Sequence, residues 1–316
     1  MPSAVFLQRK MHVGTTTDTR PPATMGSVQI GAVLSQSEFG ADISGLRDYA
    51  QAAQDLGFDF LVTADHVVGS EPAAHPELER VFPIDNYLHE PLALGMYLAA
   101  VAPRLGYLTS VIILPQRQTV LVAKQAADID VLSAGRFRLG VGIGWNPVEY
   151  EALGMRFRDR ARRFEEQIEV LRRLWTERLV TFEGTFHSLH AAGINPRPIQ
   201  QPIPVWIGAH VEAGVKRATR IADGYLPLRP LEGGWQATMD KIHRWLEEAG
   251  RSPAEFGIEG RLEASSGTPD DWHKVVETWH GFGASHLSIG TSGVGNASAH
   301  IQRLRQVRDV FGSAVH

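Results

Sequence analysis

Residues 107–142, YLTSVIILPQRQTVLVAKQAADIDVLSAGRFRLGVG, contain the pattern that decides the fold. An apolar run of strand length, residues 107–114, is followed by residues 119–132, which have the length of a helix, with Gly135 just past its end. A second apolar run, residues 137–142, follows directly. This order predicts two strands connected by a crossover helix.

The same alternation extends in both directions from this stretch. Further strands are predicted at residues 28–34, 58–63, 205–208, 225–227, 258–263 and 286–289. Further helices are predicted at residues 42–56, 91–101, 160–175, 211–222, 235–249, 270–279 and 298–311. A small hairpin is predicted after the fourth unit, with strands at residues 180–182 and 185–188 and its turn at Glu183-Gly184.

Eight strand–helix units over about 290 residues fit a single-domain (β/α)8 TIM barrel of the α/β class. A doubly wound sheet, which more often stops at roughly five to seven strands, is the alternative. We expect the barrel domain to span residues 26–316. Residues 1–25 are expected to form a flexible extension, because they contain Pro21-Pro22 and a run of three Thr but no apolar run of signal-peptide length.

Composition excludes several classes of function. The 316 residues include no Cys, which removes disulfide frameworks, thiolate zinc sites and iron–sulfur clusters. With 31 Lys and Arg against 35 Asp and Glu, the formal net charge is −4, so we expect no basic field for nucleic acid. The longest apolar runs are of strand length, too short to cross a membrane. We therefore expect a cytoplasmic protein with neither a nucleic-acid nor a membrane partner.

The 13 His residues show no spacing typical of a metal site, so no metal is expected. His187 and His190 flank the predicted hairpin, and we expect both to be solvated. Another His has a more informative position. Asp65 and His66 follow the second predicted strand, and a TIM barrel carries its catalytic groups at the carboxyl ends of strands.

At such a position a His can exchange protons and a carboxylate can hold it. The alternative for Asp65-His66 is a loop His whose neighbour caps the next turn. In the third strand, Thr109 and Ser110 interrupt an apolar run, and small residues there let a flat molecule lie against the backbone. The alternative is a β-branched strand residue beside a tolerated small one.

Residues 140–146, GVGIGWN, resemble a dinucleotide-binding loop, but Trp145 occupies the position of the third Gly. We instead expect exposed backbone near a planar ligand, with Trp145 as a stacking wall. Gly208, Ala209 and His210 end the fifth strand directly before a predicted helix. Free N–H groups at a helix start bind anions, although ordinary turn chemistry explains the same residues.

Segments spread over residues 31–228 resemble the luciferase-like monooxygenase superfamily, and in particular its branch of oxidoreductases that use a deazaflavin, coenzyme F420. The matching segments are residues 65–66, 90–92, 109–117, 123–127, 132–136, 140–146, 195–198, 204–208 and 222–224. The resemblance implies a barrel with the flat ring of the cofactor in its mouth. In relatives a non-prolyl cis peptide in the third strand lies against the ring, which corresponds here to Ser110–Val111.

The resemblance also implies roles for individual residues. The cofactor-binding residues would be Thr109, Ser110, Val111, Gly142, Gly144, Trp145, Asn146, Gly208, Ala209 and His210, the last three at the phosphate of the tail. His66 would be the catalytic acid or base, and Asp65 would position it. The loop at residues 67–89 would line the substrate pocket, with Tyr87 and His89 joining Trp145 as substrate-binding residues.

The reaction implied is transfer of a hydride to or from a small organic substrate, in a homodimer. Some deazaflavin dehydrogenases carry Glu at the position of Trp145, so this chain departs from those that act on sugar phosphates, and Trp145 indicates an apolar or aromatic substrate. One alternative is an FMN-dependent monooxygenase of the bacterial luciferase or alkanesulfonate monooxygenase type, supplied by a partner flavin reductase. Another is a non-catalytic flavin-binding relative, which would have no need of His66.

Overall fold

Eight parallel strands close into a barrel in the computed structural model, which describes residues 28–78 and 80–311. The expected extension, residues 1–25, lies outside the described residues. In chain order the elements are β1 (Gln29–Val33), α1 (Gln36–Phe39), α2 (Ile43–Asp55), β2 (Phe60–Thr63), α3 (Pro91–Val101), β3 (Gly106–Thr109), β4 (Ile112–Ile113), α4 (Thr119–Leu132), β5 (Phe137–Gly142), α5 (Pro147–Ala152), α6 (Arg160–Thr176), β6 (Val180–Glu183), β7 (Ser188–Ala192), β8 (Val205–Ala209), α7 (Glu212–Ile221), β9 (Gly224–Pro227), α8 (Gly234–Glu248), β10 (Gly257–Glu263), α9 (Pro269–Gly281), β11 (His286–Gly290) and α10 (Ala297–Phe311).

The first strand closes the barrel by pairing on both sides. β1 pairs with β2 through Gly31 and Phe60, and with β11 through Gln29 and His286. The remaining neighbours are β2–β3, β3–β5, β5–β8, β8–β9, β9–β10 and β10–β11, all parallel. A doubly wound sheet would leave two open edges. The prediction of a (β/α)8 barrel is therefore confirmed.

Helix starts follow the capping chemistry of the sequence. Asp42 accepts a hydrogen bond from the backbone N–H of Gly45 at the start of α2. Glu90 caps α3 in the same way, and Pro91 occupies the first helical position, where its missing N–H has no cost. Thr268 forms a capping box with Asp271 at the start of α9. The short helices α1 and α5 are absent from the sequence prediction because neither has enough residues to show a periodicity.

The third barrel strand is interrupted, which corrects the prediction of one strand over residues 107–114. β3 ends at Thr109, the peptide bond between Ser110 and Val111 is cis, and β4 contains only Ile112 and Ile113. Pairing with β5 slips by one residue between the two segments, since Leu108 pairs with Arg138 whereas Ile112 pairs with Val141. Residues Leu114–Gln116 then form a 3-10 turn rather than continuing the strand.

The hairpin β6–β7 follows α6, after the fourth barrel unit as predicted, but its second strand begins at Ser188 rather than at residue 185. Glu166 of α6 explains the shift, because its carboxylate accepts hydrogen bonds from the backbone of Thr185 and Phe186. His187 binds Glu166 at 2.7 Å and Thr119 at 2.6 Å. The expectation that His187 is solvated is therefore wrong, whereas His190 is exposed as expected.

Polar side chains occupy the inside of the barrel together with aromatic rings. The Arg138 guanidinium lies 4.4 Å from the Phe60 ring and 4.7 Å from the Trp206 ring, and it pairs with Glu259 at 3.1 Å. Ser288 donates a second hydrogen bond to Glu259. Since burial of an unpaired charge is costly, each member of this group keeps the others in place.

Candidate active site

His66 lies three residues past the end of β2, in the mouth of the barrel, and is held on three sides. Its Nδ1 is 3.0 Å from Oε2 of Glu149. The Phe82 ring stacks on the imidazole with centroids 3.8 Å apart, and the Trp145 ring meets it edge-on at 5.9 Å. The side chain is 17% exposed, and Nε2 has no hydrogen-bond partner among the described residues. His66 therefore presents one free nitrogen from a fixed ring.

Glu149, in the first turn of α5, holds the His66 ring in place. One carboxylate oxygen accepts from Nδ1 of His66, and the other accepts from the backbone N–H groups of Val67 and Val68 at 3.0 and 3.4 Å. Burial raises the pKa of Glu149, but the hydrogen bonds and the charge interaction with His66 outweigh it, so the pKa is lowered overall. An ionised Glu149 accepts a hydrogen bond from Nδ1–H, which favours the tautomer that has its lone pair on Nε2.

The sequence prediction missed Glu149. The residue comes three positions after Asn146, whose side chain accepts from Val148 N–H, and Glu in a first helical turn is ordinarily explained by helix capping. Only the position of Glu149 along the chain could have indicated that it belongs to the site. A Glu shortly after the fourth strand lies on the same rim of a barrel as a His shortly after the second.

Asp65 does not position His66, so that expectation is wrong. Its two carboxylate oxygens accept from the backbone N–H of Ile113 at 2.9 Å and from Arg117 at 2.8 Å. Arg117 also pairs with Glu90 at 2.7 Å. Although burial lowers the pKa of Arg117, the two carboxylates raise it overall, so the guanidinium stays charged. A buried carboxylate needs such partners, and here they tie the end of β2 to β4 and α3.

Ser110 forms part of the wall of a cavity inside the barrel mouth. The cavity is lined by Val33, Val62, Ser110, Leu226, Pro227, Glu259, Gly260, Arg261 and Ser288. The backbone N–H of Ser110 donates to Thr63 at 2.7 Å. Polar groups of β10 and β11 therefore face the interrupted third strand across the mouth.

Thr109 does not face this cavity. It is fully buried, its hydroxyl donates to the carbonyl of Gly140 at 2.8 Å, and the N–H of Gly140 donates back at 3.0 Å. A contact between Thr109 and a cofactor stays a prediction. The Thr109 side chain connects β3 to β5, at the point where the register of their pairing shifts by one residue.

Glycines in and just after β5, and one in β8, leave space for the side chains of Val111 and Ile113. A Cβ at Gly142 would lie 2.8 Å from Val111, and one at Gly208 would lie 2.7 Å from the same side chain. A Cβ at Gly144 would lie 2.6 Å from Ile113, and the φ of +65° at Gly144 also favours glycine. Close approach of the third strand explains these glycines. A cofactor contact by Gly142, Gly144 or Gly208 stays a prediction.

Asn146 and His210 complete the rim near Trp145. The Asn146 side chain is buried, and its Nδ2 has no hydrogen-bond partner in the described part of the chain. His210 is half-buried, directly beyond Ala209 at the end of β8. Burial lowers the pKa of His210, and the charges of Arg229 and Arg80 lower it further. These side chains have hydrogen-bonding capacity that no residue in the described part of the chain uses.

His89 is not among the residues that line the cavity at Ser110, and its role in substrate binding stays a prediction. It lines a separate cavity of about 220 Å³ between α2 and α3, together with Ile43, Leu46, Glu90, Ala93, Leu94 and Tyr97. Tyr87 packs edge-on against His89, with ring centroids 5.2 Å apart. The loop residue that reaches His66 is Phe82. Backbone hydrogen bonds hold Phe82 in place, from Ser70 to Phe82 at 2.8 Å and from Ile84 to Ser70 at 3.3 Å.

Comparison with known proteins identifies the family. A family model described as luciferase-like monooxygenase matches residues 11–310. The chain belongs to the luciferase-like monooxygenase family. An uncharacterised protein of Mycobacterium tuberculosis is 33% identical to it over 235 residues, which are 71% of this chain and 80% of that protein. In the part of the luciferase-like chain that the structure describes, no helix has the length and apolar character needed to span a bilayer.

Two relatives have named activities. The F420-dependent glucose-6-phosphate dehydrogenase of Kineococcus radiotolerans is 32% identical over 238 residues, 73% of this chain and 66% of that protein. The FMNH2-dependent dimethylsulfone monooxygenase of Pseudomonas fluorescens is 27% identical over 224 residues, 70% of this chain and 57% of that protein.

Among solved structures, the coenzyme F420-dependent tetrahydromethanopterin reductase of Methanopyrus kandleri superposes with a TM-score of 0.70 at 18% identity, covering 90% of this chain and 100% of that one. This likeness supports the fold. Members of the luciferase-like family are oxidoreductases and monooxygenases that use F420 or FMN, so the prediction of an oxidoreductase of this kind is confirmed.

Proposed function

We propose that the protein is a deazaflavin (coenzyme F420)-dependent oxidoreductase that transfers a hydride to or from a small organic substrate, with His66 as its catalytic acid or base. The observation that carries this proposal is the His66–Glu149 pair. A buried carboxylate holds Nδ1 at 3.0 Å and leaves Nε2 free in the barrel mouth. A protein that only stored a flavin would gain nothing from a proton-exchanging group held in this way.

The residues that line the mouth have small and polar side chains, of the kind that would contact the polar edges of a flat heterocycle. Ser110 presents a small side chain at the cavity wall, and Glu259, Arg261 and Ser288 line the same cavity. Nδ2 of Asn146 supplies a buried donor that has no partner among the described side chains and backbone groups. When bound, the cofactor would supply the ring carbon that donates or accepts the hydride. The protein would supply orientation and the accompanying proton.

His66 would move that proton at Nε2. Hydride transfer to a carbonyl requires a proton at the developing alkoxide, and hydride removal from an alcohol requires a base at the hydroxyl. With Nδ1–H held by Glu149, Nε2 serves as the base in one direction, and its protonated form serves as the acid in the other. Trp145, at the edge of the imidazole, would form an apolar wall for the substrate.

An FMN-dependent monooxygenase is the second candidate, because the Pseudomonas fluorescens relative uses FMNH2. That chemistry would require a reductase partner to deliver reduced flavin. The F420-dependent relative is more similar in sequence, at 32% against 27% identity, which supports the deazaflavin. Titration of the purified protein with each cofactor, followed by fluorescence quenching, separates the two candidates. Micromolar binding of FMN alone would contradict the deazaflavin proposal.

We also infer a homodimer. Helix α3 has the sequence PLALGMYLAAV, with no charged residue, and its Ala93 and Ala100 are exposed in the single chain. A helix that is apolar on all sides is ordinarily covered, and a second copy of the chain would cover it. Sedimentation of the purified protein at several concentrations measures this directly, and a monomer at all of them would contradict the inference.

His66→Ala should lower turnover far more than cofactor affinity. Loss of a general acid or base costs roughly 100- to 10,000-fold in rate, whereas the ring contacts at Ser110 remain. Turnover is measured as oxidation of reduced cofactor over a panel of aldehydes and ketones, and affinity by fluorescence titration. His190→Ala, at an exposed position on the hairpin, is the matched control. Equal rates for wild type and His66→Ala would contradict the assigned role.

A further inference from the structure

A buried ion pair joins the two chain segments that carry the site. Asp65 directly precedes His66, and its Oδ2 accepts a hydrogen bond from the backbone N–H of Ile113 at 2.9 Å. Ile113 comes three residues after Ser110, which lines the cavity in the mouth. The other carboxylate oxygen of Asp65 binds Arg117 at 2.8 Å. One carboxylate therefore connects the end of the second barrel strand to the segment that follows Ser110.

The short segment from Ile113 to Arg117 is held from other directions as well. The buried side chain of Gln167, in α6, donates to the carbonyl of Leu114 at 3.1 Å and to the carbonyl of Arg117 at 3.2 Å. The Arg117 guanidinium also pairs at 2.7 Å with Glu90, which caps α3. Contacts to three different parts of the barrel therefore fix this segment.

Stability alone does not explain the buried ion pair. The side chains of Asp65 and Arg117 are 1% and 12% exposed. Removal of two charges from water costs free energy that their attraction offsets only in part, so an apolar pair of similar volume is often as stable. A carboxylate held between a guanidinium and a backbone N–H does provide a defined orientation, because these hydrogen bonds are charge-assisted and directional. A site needs this property where two groups must keep a fixed separation.

We propose that Arg117 and Asp65 are positioning residues for the third-strand wall, which they hold at a fixed separation from His66. The His66 ring itself is held by Glu149, so the part that this pair positions is the wall at Ser110. The inference rests on the proposed function and extends it, because the hydride and the proton would reach the substrate from these two sides of the mouth. Neither residue contacts the substrate in this role. A displacement of about 1 Å between catalytic groups can cost about 100-fold in rate.

The experiment compares single and paired substitutions in the full chain. Arg117→Gln leaves the Asp65 charge buried without its partner, whereas Asp65→Asn/Arg117→Gln creates a neutral pair that still forms hydrogen bonds. Arg117→Lys keeps the charge without the fork of the guanidinium. Arg217→Gln is the matched control, because Arg217 of α7 is 16% exposed and pairs at 2.7 Å with Glu165 of α6, between two outer helices.

Four quantities are measured for each variant. The thermal midpoint reports stability, and the nitrogen NMR shifts of the His66 ring report its tautomer. Time-resolved fluorescence anisotropy of bound deazaflavin reports how freely the ring of the cofactor moves, whether or not a substrate is known. Turnover over a panel of aldehydes and ketones gives kcat and KM separately.

We expect Arg117→Gln to lower kcat about 100-fold and to make the anisotropy of bound deazaflavin decay faster, because the wall at Ser110 is no longer fixed. Its thermal midpoint should fall as well. The double variant should recover the midpoint, since it leaves no unpaired buried charge at position 65, but it should not recover kcat. Arg117→Lys should recover part of kcat. The ring shifts of His66 should stay as in wild type throughout, and Arg217→Gln should leave kcat and anisotropy unchanged.

Three results would overturn the inference. Recovery of both the midpoint and kcat in the double variant would mean that the pair only compensates charge. Wild-type anisotropy in every variant would mean that the wall does not depend on the pair. A changed His66 tautomer in Arg117→Gln would assign the pair to the acid–base group instead.

The outcome for the proposed function is separate. If wild type binds FMN but not deazaflavin, the proposed cofactor is wrong, and the same anisotropy measurement with bound FMN still decides the inference. If wild type binds neither cofactor, both the proposed function and the inference fail.

Discussion

At the scale of single residues, Glu149 determines which nitrogen of His66 is free to exchange a proton. Its carboxylate, which is 1% exposed, binds Nδ1 and leaves Nε2 free. We expect Glu149→Gln to lower turnover roughly tenfold to a hundredfold, because a neutral amide no longer fixes the Nδ1–H tautomer by a charge-assisted hydrogen bond. Cofactor affinity should change little. The measurement pairs turnover with nitrogen NMR shifts of the His66 ring, which report the tautomer whether or not a substrate is known.

Glu151→Gln is the matched control for this prediction. Glu151 lies on the same short helix, is exposed and makes no side-chain hydrogen bond to another described residue. Its replacement should leave both the turnover and the His66 ring shifts as in wild type. A Glu149→Gln variant with wild-type turnover and an unchanged tautomer would contradict the role assigned to Glu149.

The sequence identifies His66 but not the group that holds it. A strand end in a predicted barrel is enough to single out His66, since the fold places strand ends at the active site. Its partner is 83 residues away, and nothing local distinguishes Glu149 from an ordinary capping carboxylate. Adjacency favours Asp65 instead, but successive side chains leave an extended segment in opposite directions. The sequence alone does not indicate the ion pair between Asp65 and Arg117 either, because the fold brings these two residues together.

At the scale of elements, β5 and the interrupted third strand fit each other through glycine. We expect Gly142→Ala to destabilise the fold by about 1–3 kcal/mol, because its Cβ would be forced against Val111. Val111→Ala removes the opposing methyl groups, so the double variant should be less destabilised than the sum of the two single variants. Denaturant unfolding of all three variants measures this coupling.

Gly281→Ala, at the end of α9, controls for the loss of a glycine as such. No atom lies within 4 Å of the position of its Cβ, and its φ is ordinary for a helix. This variant should be neutral or stabilised by up to about 1 kcal/mol. Additive effects of Gly142→Ala and Val111→Ala would show that the close approach seen at Gly142 is not what selects glycine there.

Glu38 connects helix α1, which follows β1, to the loop after β11. Its carboxylate accepts from the N–H groups of Gly293 and Gly295 and pairs with His300 at 3.1 Å. Burial raises the pKa of Glu38, but these contacts outweigh it and lower the pKa below its usual 4.5. A lowered folded pKa gives stability that is present above the unfolded value and is lost as the pH falls through the folded value.

Glu38→Gln should therefore cost about 1 kcal/mol at pH 7, and less as the pH falls below 4.5. The comparison is the free energy of unfolding of wild type and variant over a series of pH values. Glu255→Gln, exposed and without a side-chain partner in the described chain, should show no such dependence. A difference between wild type and Glu38→Gln that persists undiminished in acid would contradict the role of the carboxylate charge.

Most element boundaries follow from the sequence because apolar spacing and capping agree with each other. Helices α3 and α4 begin and end at the predicted residues, and β5 does as well. The errors occur where a distant residue decides the local backbone. Glu166 of α6 determines where β7 begins, and the packing of Val111 between β5 and β8 accompanies the break between β3 and β4. Neither contact leaves a periodic signal in the sequence.

At the scale of the whole molecule, closure of the barrel determines which part of the chain must be present. β1 is the strand that joins β2 to β11, so a barrel without Gln29–Val33 has two open edges. We predict that removal of residues 1–24 leaves the thermal midpoint within about 2 °C of wild type, whereas removal of residues 1–33 abolishes cooperative unfolding. Calorimetry of the two truncated chains beside the full one measures this. A large drop in midpoint for the shorter truncation would assign residues 1–24 to the folded domain, and a cooperative transition in the longer one would show that seven strands suffice.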